Sequence, residues 1–380
     1  MLRGRDKMNS EISILKFNRK TNFWLLRAEG GKYFSDFLNN DYVGIKYNKL
    51  TIDNIKKLQK QEFVTLEDIK QLMFKQYIKD NKTTIDNLST TAKAQLTIHA
   101  KQTYLFVYEI KIGDFILVPA KHSYEFALGI VIGDPYDESI TNIEKLKKDY
   151  ENQDISYKPS GYLKRRSVQW ISIINRNDLP KELAWIMNAH QAVASLDIDN
   201  KTKLFNLVSP VYKYEGKFYL RVHTSKGSEF SISDWSKLVS VFPKEKSNNI
   251  DMKANINSPG FFTLVTHSIN DIHFFIEVAF GSGVFGSFVF ILNKSLKLLL
   301  GKENLKKKGL IETCQDIWSK HKQNKVKNLK ADIEYRELKA KDIRGKELGL
   351  SIRKEGKPIE KNKDKIISLD IKKPKDKTDN

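Results

Sequence analysis

Cysteine is almost absent from this chain, and its scarcity limits the class of protein. The 380 residues include 1 cysteine, Cys314. A lone thiol excludes an intramolecular disulfide framework and a cysteine-rich zinc site. Residues 1–20 are charged and lack the apolar core of a signal peptide. We therefore expect a cytoplasmic protein, with membrane association as the alternative.

Recognisable catalytic motifs are also missing from the sequence. The 7 histidines show no HxH or HExxH spacing, and the glycines at 281 and 283 are not followed by the lysine of a phosphate-binding loop. His122 and Ser123 are neighbours, which is not the geometry of a catalytic triad. We therefore expect no catalytic residues, no metal site and no cofactor.

A divergent metal-dependent nuclease is the enzymatic alternative. Such an enzyme needs an acidic pair and a Glu-x-Lys on adjoining strands, which together hold Mg²⁺ and activate water. The tripeptides that begin at Glu109 and Glu337 have this form, but neither has an upstream aspartate in a strand pattern. The sequence therefore favours a protein that binds over one that cleaves.

Positive charge exceeds negative charge by a wide margin. The chain has 66 Lys and Arg against 46 Asp and Glu, a formal net charge of +20. This excess favours a polyanionic partner, namely nucleic acid, nucleotide or anionic lipid, and the alternative is a lysine-rich surface with no such partner. The composition, 40% hydrophobic and 11% aromatic, is typical of a globular protein.

Short apolar segments broken by glycine organise the middle of the chain. β-Branched and aromatic residues predict strands there, and Gly113-Asp114 predicts a turn in which the aspartate bonds nearby backbone. The predicted strands cover residues 104–108, 115–118, 127–134 and 165–170. An apolar stripe among Lys, Gln and Glu predicts helices within 53–99, where Thr65 helps to start one without completing a capping box.

The ordered pattern of residues 20–185 resembles the EVE/PUA-like domain of Mrr-like, modification-dependent restriction proteins and related bacterial defence proteins. The residues that carry the resemblance are Trp24, Arg27-Ala28, Gly30-Gly31, Phe37, Val43-Gly44-Ile45, Gly113-Asp114, Pro119, Tyr124, Gly129, Val131, Gly133, Arg166, Val168 and Trp170. Two features depart from the pattern: Tyr47 stands where a tryptophan is common, and the helical insert before Gly113 is long.

The resemblance implies a small β-barrel with flanking helices that holds a flipped, modified base in an aromatic pocket. On that basis Trp24, Arg27, Tyr47 and Tyr124 are candidate base-binding residues. A flipped base needs an aromatic face to stack on and a donor for its edge. The alternative for Trp24 is that it belongs to the barrel core. Arg165 and Arg166 are candidate phosphate contacts, with a solvated surface pair as the alternative.

A second unit is expected after Pro180. We predict a small α+β module at 183–243, with a hairpin around Glu215-Gly216, and expect its strand tyrosines to pack rather than to stack on bases. The tyrosines concerned are Tyr212, Tyr214 and Tyr219.

The region 250–355 is expected to be helical and basic, and to contain the apolar segment 274–292. That segment carries one charge, Glu277, and has glycines between 281 and 286. A membrane span is possible by length, but about 270 preceding residues would have to cross if the lysines that follow stay cytoplasmic. We expect a buried segment with a turn at 281–286, and a disordered basic tail at 356–380.

The sequence therefore predicts an α+β, multidomain protein with a PUA-like β-barrel at 20–182, a helical insert, the small module and the helical C-terminal region. The expected function is recognition of a nucleic acid or nucleotide, including a modified base, as the reader of a bacterial anti-phage defence or restriction system. A protein partner would supply the effector activity. The alternatives are the nuclease and a membrane-acting effector that uses 274–292.

Overall fold

Two mixed sheets organise the part of the chain that the structure describes. The structure is a computed structural model, and it describes residues 14–60, 63–199, 201–224, 231–240, 250–255, 261–280 and 350–352. The chain divides into two compact units, one formed by Asn22–Asp197 and the other by residues 14–21 together with the described residues from 198 onward. Helices and mixed sheets occur together, so the α+β fold class is confirmed.

The bounds of the regular elements are as follows. The strands are β1 (Leu15–Phe17), β2 (Phe23–Leu26), β3 (Tyr42–Ile45), β4 (Phe115–Pro119), β5 (Glu125–Val131), β6 (Tyr136–Asp137), β7 (Lys164–Asn175), β8 (Val193–Ser195), β9 (Val211–Tyr214), β10 (Lys217–Thr224), β11 (Ile250–Asn255), β12 (Phe261–Thr266) and β13 (Leu350–Ser351). The α-helices are α1 (Phe34–Asn39), α2 (Ile52–Lys56), α3 (Leu66–Asn81), α4 (Thr90–Tyr104), α5 (Ile140–Glu151), α6 (Thr202–Val208), α7 (Ile232–Val239) and α8 (Ile269–Phe280).

The unit Asn22–Asp197 is built on a curled, half-barrel sheet in the order β3-β7-β5-β4-β2-β8, with β6 paired to β7. Strands β2 and β4 are parallel, and the other pairs are antiparallel. All five residues of β4 are buried, as expected for a central strand that is covered on both faces. Strand β5 is irregular between Leu128 and Gly129, where the register with β7 shifts. The shift increases the local twist and contributes to the curl.

The predicted turn at Gly113-Asp114 is confirmed. Gly113 has φ +95°, a conformation that favours glycine. Asp114 Oδ2 accepts hydrogen bonds from the backbone N–H of Lys111 and from Trp24 Nε1, both at 2.9 Å. The aspartate therefore closes the turn and ties it to β2.

The predicted strand at 104–108 is wrong. Helix α4 runs to Tyr104 and continues as a π-helical turn at Leu105–Glu109. Arg166 explains the difference, because its guanidinium donates to the carbonyls of Phe106 (2.8 Å) and Val107 (2.9 Å). The buried cation thus satisfies carbonyls that the widened helical turn leaves open, and this contact overrides the strand preference of the aromatic run.

The helices predicted within 53–99 are confirmed as α2, α3 and most of α4. The capping of α3 is more complete than expected. Thr65 Oγ1 accepts from the N–H of Asp68, and the Asp68 carboxylate accepts from the N–H of Thr65. Aspartate therefore closes the capping box in place of the usual Glu or Gln.

The other unit contains the sheet β1-β9-β10-β12-β11, with β13 paired to β10. The predicted hairpin is confirmed, because β9 and β10 are joined by Glu215 (φ +47°) and Gly216 (φ +78°). Positive φ at both positions is the signature of a type I′ turn. The ring of Tyr212 is fully buried and stacks on that of Tyr219 at 4.9 Å, as expected for packing residues.

The domain bounds that we inferred from sequence differ from this division. Strand β10, within 183–243, pairs along its length with β12, and β11 follows the expected boundary at 244–249, so one sheet joins both regions. Ile250–Asn255 and Phe261–Thr266 are also strands rather than helices. Helix α8 covers the start of 274–292, whereas the predicted turn at 281–286 and the tail 356–380 lie outside the described residues. No helix in the described ranges is long and apolar enough to cross a membrane.

Candidate functional site

A cavity of about 250 Å³ opens beside the half-barrel sheet, and it lies wholly within the unit Asn22–Asp197. It brings together two of the residues singled out from the sequence, Arg27 and Tyr47. The full lining is Arg27, Glu29, Gly30, Ile45, Lys46, Tyr47, His99, Gln102, Thr103, Tyr162, His190 and Ala192.

Strand β2 positions Arg27 directly after its last residue. The backbone N–H of Arg27 donates to the carbonyl of Ala192 (2.8 Å), which prolongs the pairing of β2 with β8. Its Nη2 donates to the carbonyls of Ile186 (3.2 Å) and Met187 (3.3 Å), at the end of the 3₁₀ helix Lys181–Met187. Burial lowers the pKa of Arg27. The guanidinium is thus held at the cavity wall by neutral carbonyls.

Tyr47 follows β3 in a left-handed conformation, with φ +71°. A bulky side chain rarely adopts this conformation, so the surrounding structure has to impose it. Lys164 does so from β7, because its Nζ donates to the carbonyl of Tyr47 and to that of Leu50 (2.9 Å). Burial lowers the pKa of Lys164 to about 8, and the charge of Asp137 opposes the shift. A buried lysine therefore fixes the aromatic wall of the cavity.

His99 lies on α4 and was not among the site residues predicted from sequence. Its ring centroid is 5.4 Å from that of Tyr47, with 54° between the planes. Burial lowers the pKa of His99, and the charges of Lys164 and Lys46 lower it further. A signal was present in the sequence, because His99, Gln102 and Thr103 recur at helical spacing and form one polar face. The imidazole is neutral at neutral pH.

Glu29 and Tyr162 form the rim beside the aromatic wall. The Glu29 carboxylate accepts from the Tyr162 hydroxyl (3.1 Å) and lies 3.3 Å from Lys46 Nζ. Burial alone would raise the pKa of Glu29, but the Tyr162 hydrogen bond and the charge of Lys46 outweigh burial and lower it. The rim therefore carries an ionised, partnered carboxylate. Burial raises the pKa of Tyr162, and the Glu29 charge acts in the same direction.

Three residues that line the cavity each carry a buried polar atom without a hydrogen-bond partner among the described residues. The atoms are Arg27 Nε, Tyr47 Oη and His99 Nδ1. Burial raises the pKa of Tyr47 to about 12, so its hydroxyl keeps its proton at neutral pH. An unpartnered buried polar atom costs about 1–3 kcal/mol. Strain, a bound water or ion, or a ligand can account for such atoms, and three of them belong to residues of one cavity.

Two other candidate base-binding residues lie away from this cavity. Trp24 is 5% exposed and donates from Nε1 to Asp114, as the core alternative predicted. Tyr124 is 54% exposed and follows the 3₁₀ turn Lys121–Ser123, where His122 is its ring neighbour at 6.1 Å. Neither residue lines the cavity.

Arg165 and Arg166 are each 2% exposed, so neither matches the solvated surface pair. Arg165 Nε donates to the carbonyl of Tyr162 (2.9 Å), and its Nη1 is 3.1 Å from Glu138. Arg166 is bonded to the π-helical turn and to the carbonyl of Gly133 (3.1 Å). Both guanidinium groups join backbone segments in the interior, and a phosphate would have no direct access to them.

The arrangement is suited to binding. The lining includes the guanidinium of Arg27, the phenol rings of Tyr47 and Tyr162, and the imidazole of His99. Glu109, considered above for the nuclease, ends the π-helical turn rather than lying on a strand. No cluster of three metal-ligating side chains occurs in the described part of the chain.

Comparison with known proteins found no relative of this chain. No protein-family model, no curated protein and no solved structure matches the chain.

Proposed function

We propose that this protein recognises a nucleic acid or nucleotide by holding one base in the cavity beside Arg27 and Tyr47. The observation that supports the proposal most is the set of three unpartnered polar atoms on residues that line one cavity. Their cost is recovered when a ligand supplies the missing hydrogen bonds. The EVE/PUA-like assignment of residues 20–185, a modified base as ligand, and the role of reader in a bacterial defence or restriction system belong to the same proposal. A protein partner would then supply the effector activity.

The size of the cavity agrees with a single base. Pockets for drug-sized ligands measure about 300–1,000 Å³. The cavity measures about 250 Å³, which is below that range. A ligand of this size is a single ring system and not a whole oligonucleotide, so the rest of a nucleic acid would lie outside the cavity.

The expected free energies also agree with the binding of a single base. Extracting a base from a duplex costs a few kcal/mol, and stacking on an aromatic side chain returns about 1–3 kcal/mol per base. Hydrogen bonds to Arg27, a charged donor, add about 1.5–3 kcal/mol. The net charge of +20 attracts the phosphate backbone independently of sequence. Binding should therefore be tightest where the base is already unpaired.

The test is fluorescence anisotropy with the full chain and short oligonucleotides, single-stranded and duplex, with unmodified and modified bases. A fully abasic strand of the same length is the control for backbone binding. We expect base-bearing strands to bind more tightly than the abasic strand. Arg27→Gln should remove that advantage, with a loss of about tenfold or more.

Tyr124→Ala is the matched control variant, because Tyr124 is aromatic and exposed but lies outside the cavity. It should keep the advantage of base-bearing strands. If every oligonucleotide in the panel binds no better than the abasic strand, the protein reads no base and the proposal fails.

A further inference from the structure

The charges around the cavity are mixed, and this disfavours a strongly charged ligand. No ion pair joins Arg27 to a carboxylate within the described ranges. A cationic ligand would therefore meet a partly buried guanidinium with no compensating charge. An oxoanion would meet the ionised carboxylate of Glu29 on the same rim, and the cations nearest that carboxylate, Lys46 at 3.3 Å and Lys32 at 3.7 Å, are already paired with it. An uncharged ligand with a polar edge avoids both costs.

The unpartnered atoms indicate which hydrogen-bonding groups the polar edge of the ligand carries. Arg27 Nε can only donate, so the ligand has to present an acceptor to it. A neutral imidazole has one donor nitrogen and one acceptor nitrogen. If His99 Nδ1 were a donor, the two groups would together select an acceptor-only ligand such as phosphate, which Glu29 disfavours. The consistent assignment makes Nδ1 of His99 the acceptor.

Building on the proposed function, we infer that His99 is a specificity-determining residue: its Nδ1 accepts a hydrogen bond from the base, while Arg27 donates one, so that the cavity selects an uncharged ring with a donor and an acceptor on one edge. Both atoms are shielded from water in the free protein. Binding therefore includes a change of side-chain rotamer, which is common at binding sites.

The inference predicts how binding responds to pH. The titratable or charged groups that surround His99 are Arg27, Glu29, Lys46, Tyr47, Tyr162, Lys164 and His190. Protonation converts Nδ1 from an acceptor into a donor, which opposes a base N–H. Because the pKa of His99 is lowered from 6.5, this loss should begin below that value. An acceptor-only ligand would show the opposite trend and bind more tightly in acid.

The experiment compares a thymidine oligonucleotide with the fully abasic strand of equal length, from about pH 7.5 down to about pH 4.5. Thymine has an N–H beside two carbonyls, and it does not titrate in this range. The readout is the ratio of the two dissociation constants for the full chain, with circular dichroism to confirm that the protein stays folded. For the wild type, the preference for thymidine should fall about tenfold as His99 is protonated.

Two variants of His99 test separately its role as a hydrogen-bond acceptor and its protonation. His99→Asn places an amide oxygen near the position of Nδ1 and cannot be protonated, so it should keep the preference at every pH. His99→Phe keeps the ring beside Tyr47 without an acceptor and should lose about tenfold at neutral pH. His122→Asn is the control, since it removes a histidine that does not line the cavity, and it should behave like the wild type.

The inference is overturned by a thymidine preference that stays constant or grows in acid, by a pH response that persists in His99→Asn, or by one that disappears in His122→Asn. A thymidine strand that binds no better than the abasic strand also overturns it. The proposed function fails separately, only when no oligonucleotide in its own panel benefits from its bases.

Discussion

Several residues around the cavity have backbone conformations or buried polar groups that lower the stability of the protein. Tyr47 combines a left-handed backbone with a buried hydroxyl that has no partner among the described residues. Arg27 is partly buried against neutral carbonyls. Natural proteins commonly trade stability for function at binding sites, where strain and unpaired polar groups accumulate. Variants that relieve the cost should therefore weaken binding.

Tyr47→Phe tests whether this residue lowers stability and strengthens binding. The change removes the unpartnered hydroxyl and keeps the ring, so the free energy of unfolding should rise by about 1 kcal/mol. The affinity for base-bearing strands should fall, because the ligand loses one hydrogen bond. Urea unfolding and anisotropy measure the two effects.

Tyr108→Phe is the matched control. Tyr108 also has a buried hydroxyl without a partner in the described chain, but it does not line the cavity. It should gain similar stability with unchanged affinity. A Tyr47→Phe variant that is less stable than the wild type would show that the hydroxyl is satisfied in solution.

At the scale of elements, β7 supports the cavity through Lys164. The Lys164 side chain crosses to the turn after β3 and holds two of its carbonyls. Its pKa is lowered by burial to about 8 from 10.5. Between these values the unfolded chain binds a proton that the folded protein does not, so this group makes stability rise with pH in that window.

Lys164→Met should remove this contribution. The difference in unfolding free energy, wild type minus variant, should increase by about 3 kcal/mol between pH 8 and pH 10.5. Subtraction cancels the other titrating groups, including buried tyrosines whose raised pKa values act in the opposite direction. Urea unfolding across this range gives the difference. A difference that stays flat or falls would mean that Lys164 is not desolvated.

The close contact between β5 and β7 depends on Gly129. A Cβ there would lie 2.4 Å from Val168 Cγ1 and 2.8 Å from Trp170 Cε3. Gly129→Ala should therefore cost about 1–3 kcal/mol in thermal unfolding. Gly161→Ala is the control, because nothing lies within 4 Å of its Cβ position, and it should change stability little. Equal effects of the two changes would contradict the packing of these strands.

Local patterns predicted the elements whose signals lie in neighbouring residues. The Gly113-Asp114 turn, the Glu215-Gly216 hairpin and the helices within 53–99 were of this kind. The π-helical turn at Leu105–Glu109 depends instead on Arg166, which is distant in sequence. Local preference cannot reveal such a contact.

The candidate site was predicted in part. Arg27 and Tyr47 were singled out by resemblance and do line the cavity, whereas Trp24, Arg165 and Arg166 are buried. The amino-acid pattern of β7 does not indicate how deeply its arginines are buried. His99 was missed because it lies in the helical insert, outside the residues that carried the resemblance.

At the scale of the whole molecule, the net charge of +20 and the cavity should act as separate contributions to affinity. Affinity for any single strand should fall steeply with salt, with a slope of about −0.7 per phosphate contact. The ratio between base-bearing and abasic strands should change little, because both have the same backbone. Anisotropy titrations at increasing salt measure both quantities. A ratio that collapses with salt would assign the base preference to surface charge.

A base that occupies the cavity beside Tyr47 should be visible by ¹⁹F NMR of the full chain labelled with 3-fluorotyrosine. Tyr47→Phe and Tyr124→Phe assign the two signals. We expect a base-bearing strand to shift the Tyr47 signal, whereas an abasic strand of equal length should leave it in place. A Tyr47 signal that ignores the base, while the Tyr124 signal responds to it, would contradict the account and place recognition outside the cavity.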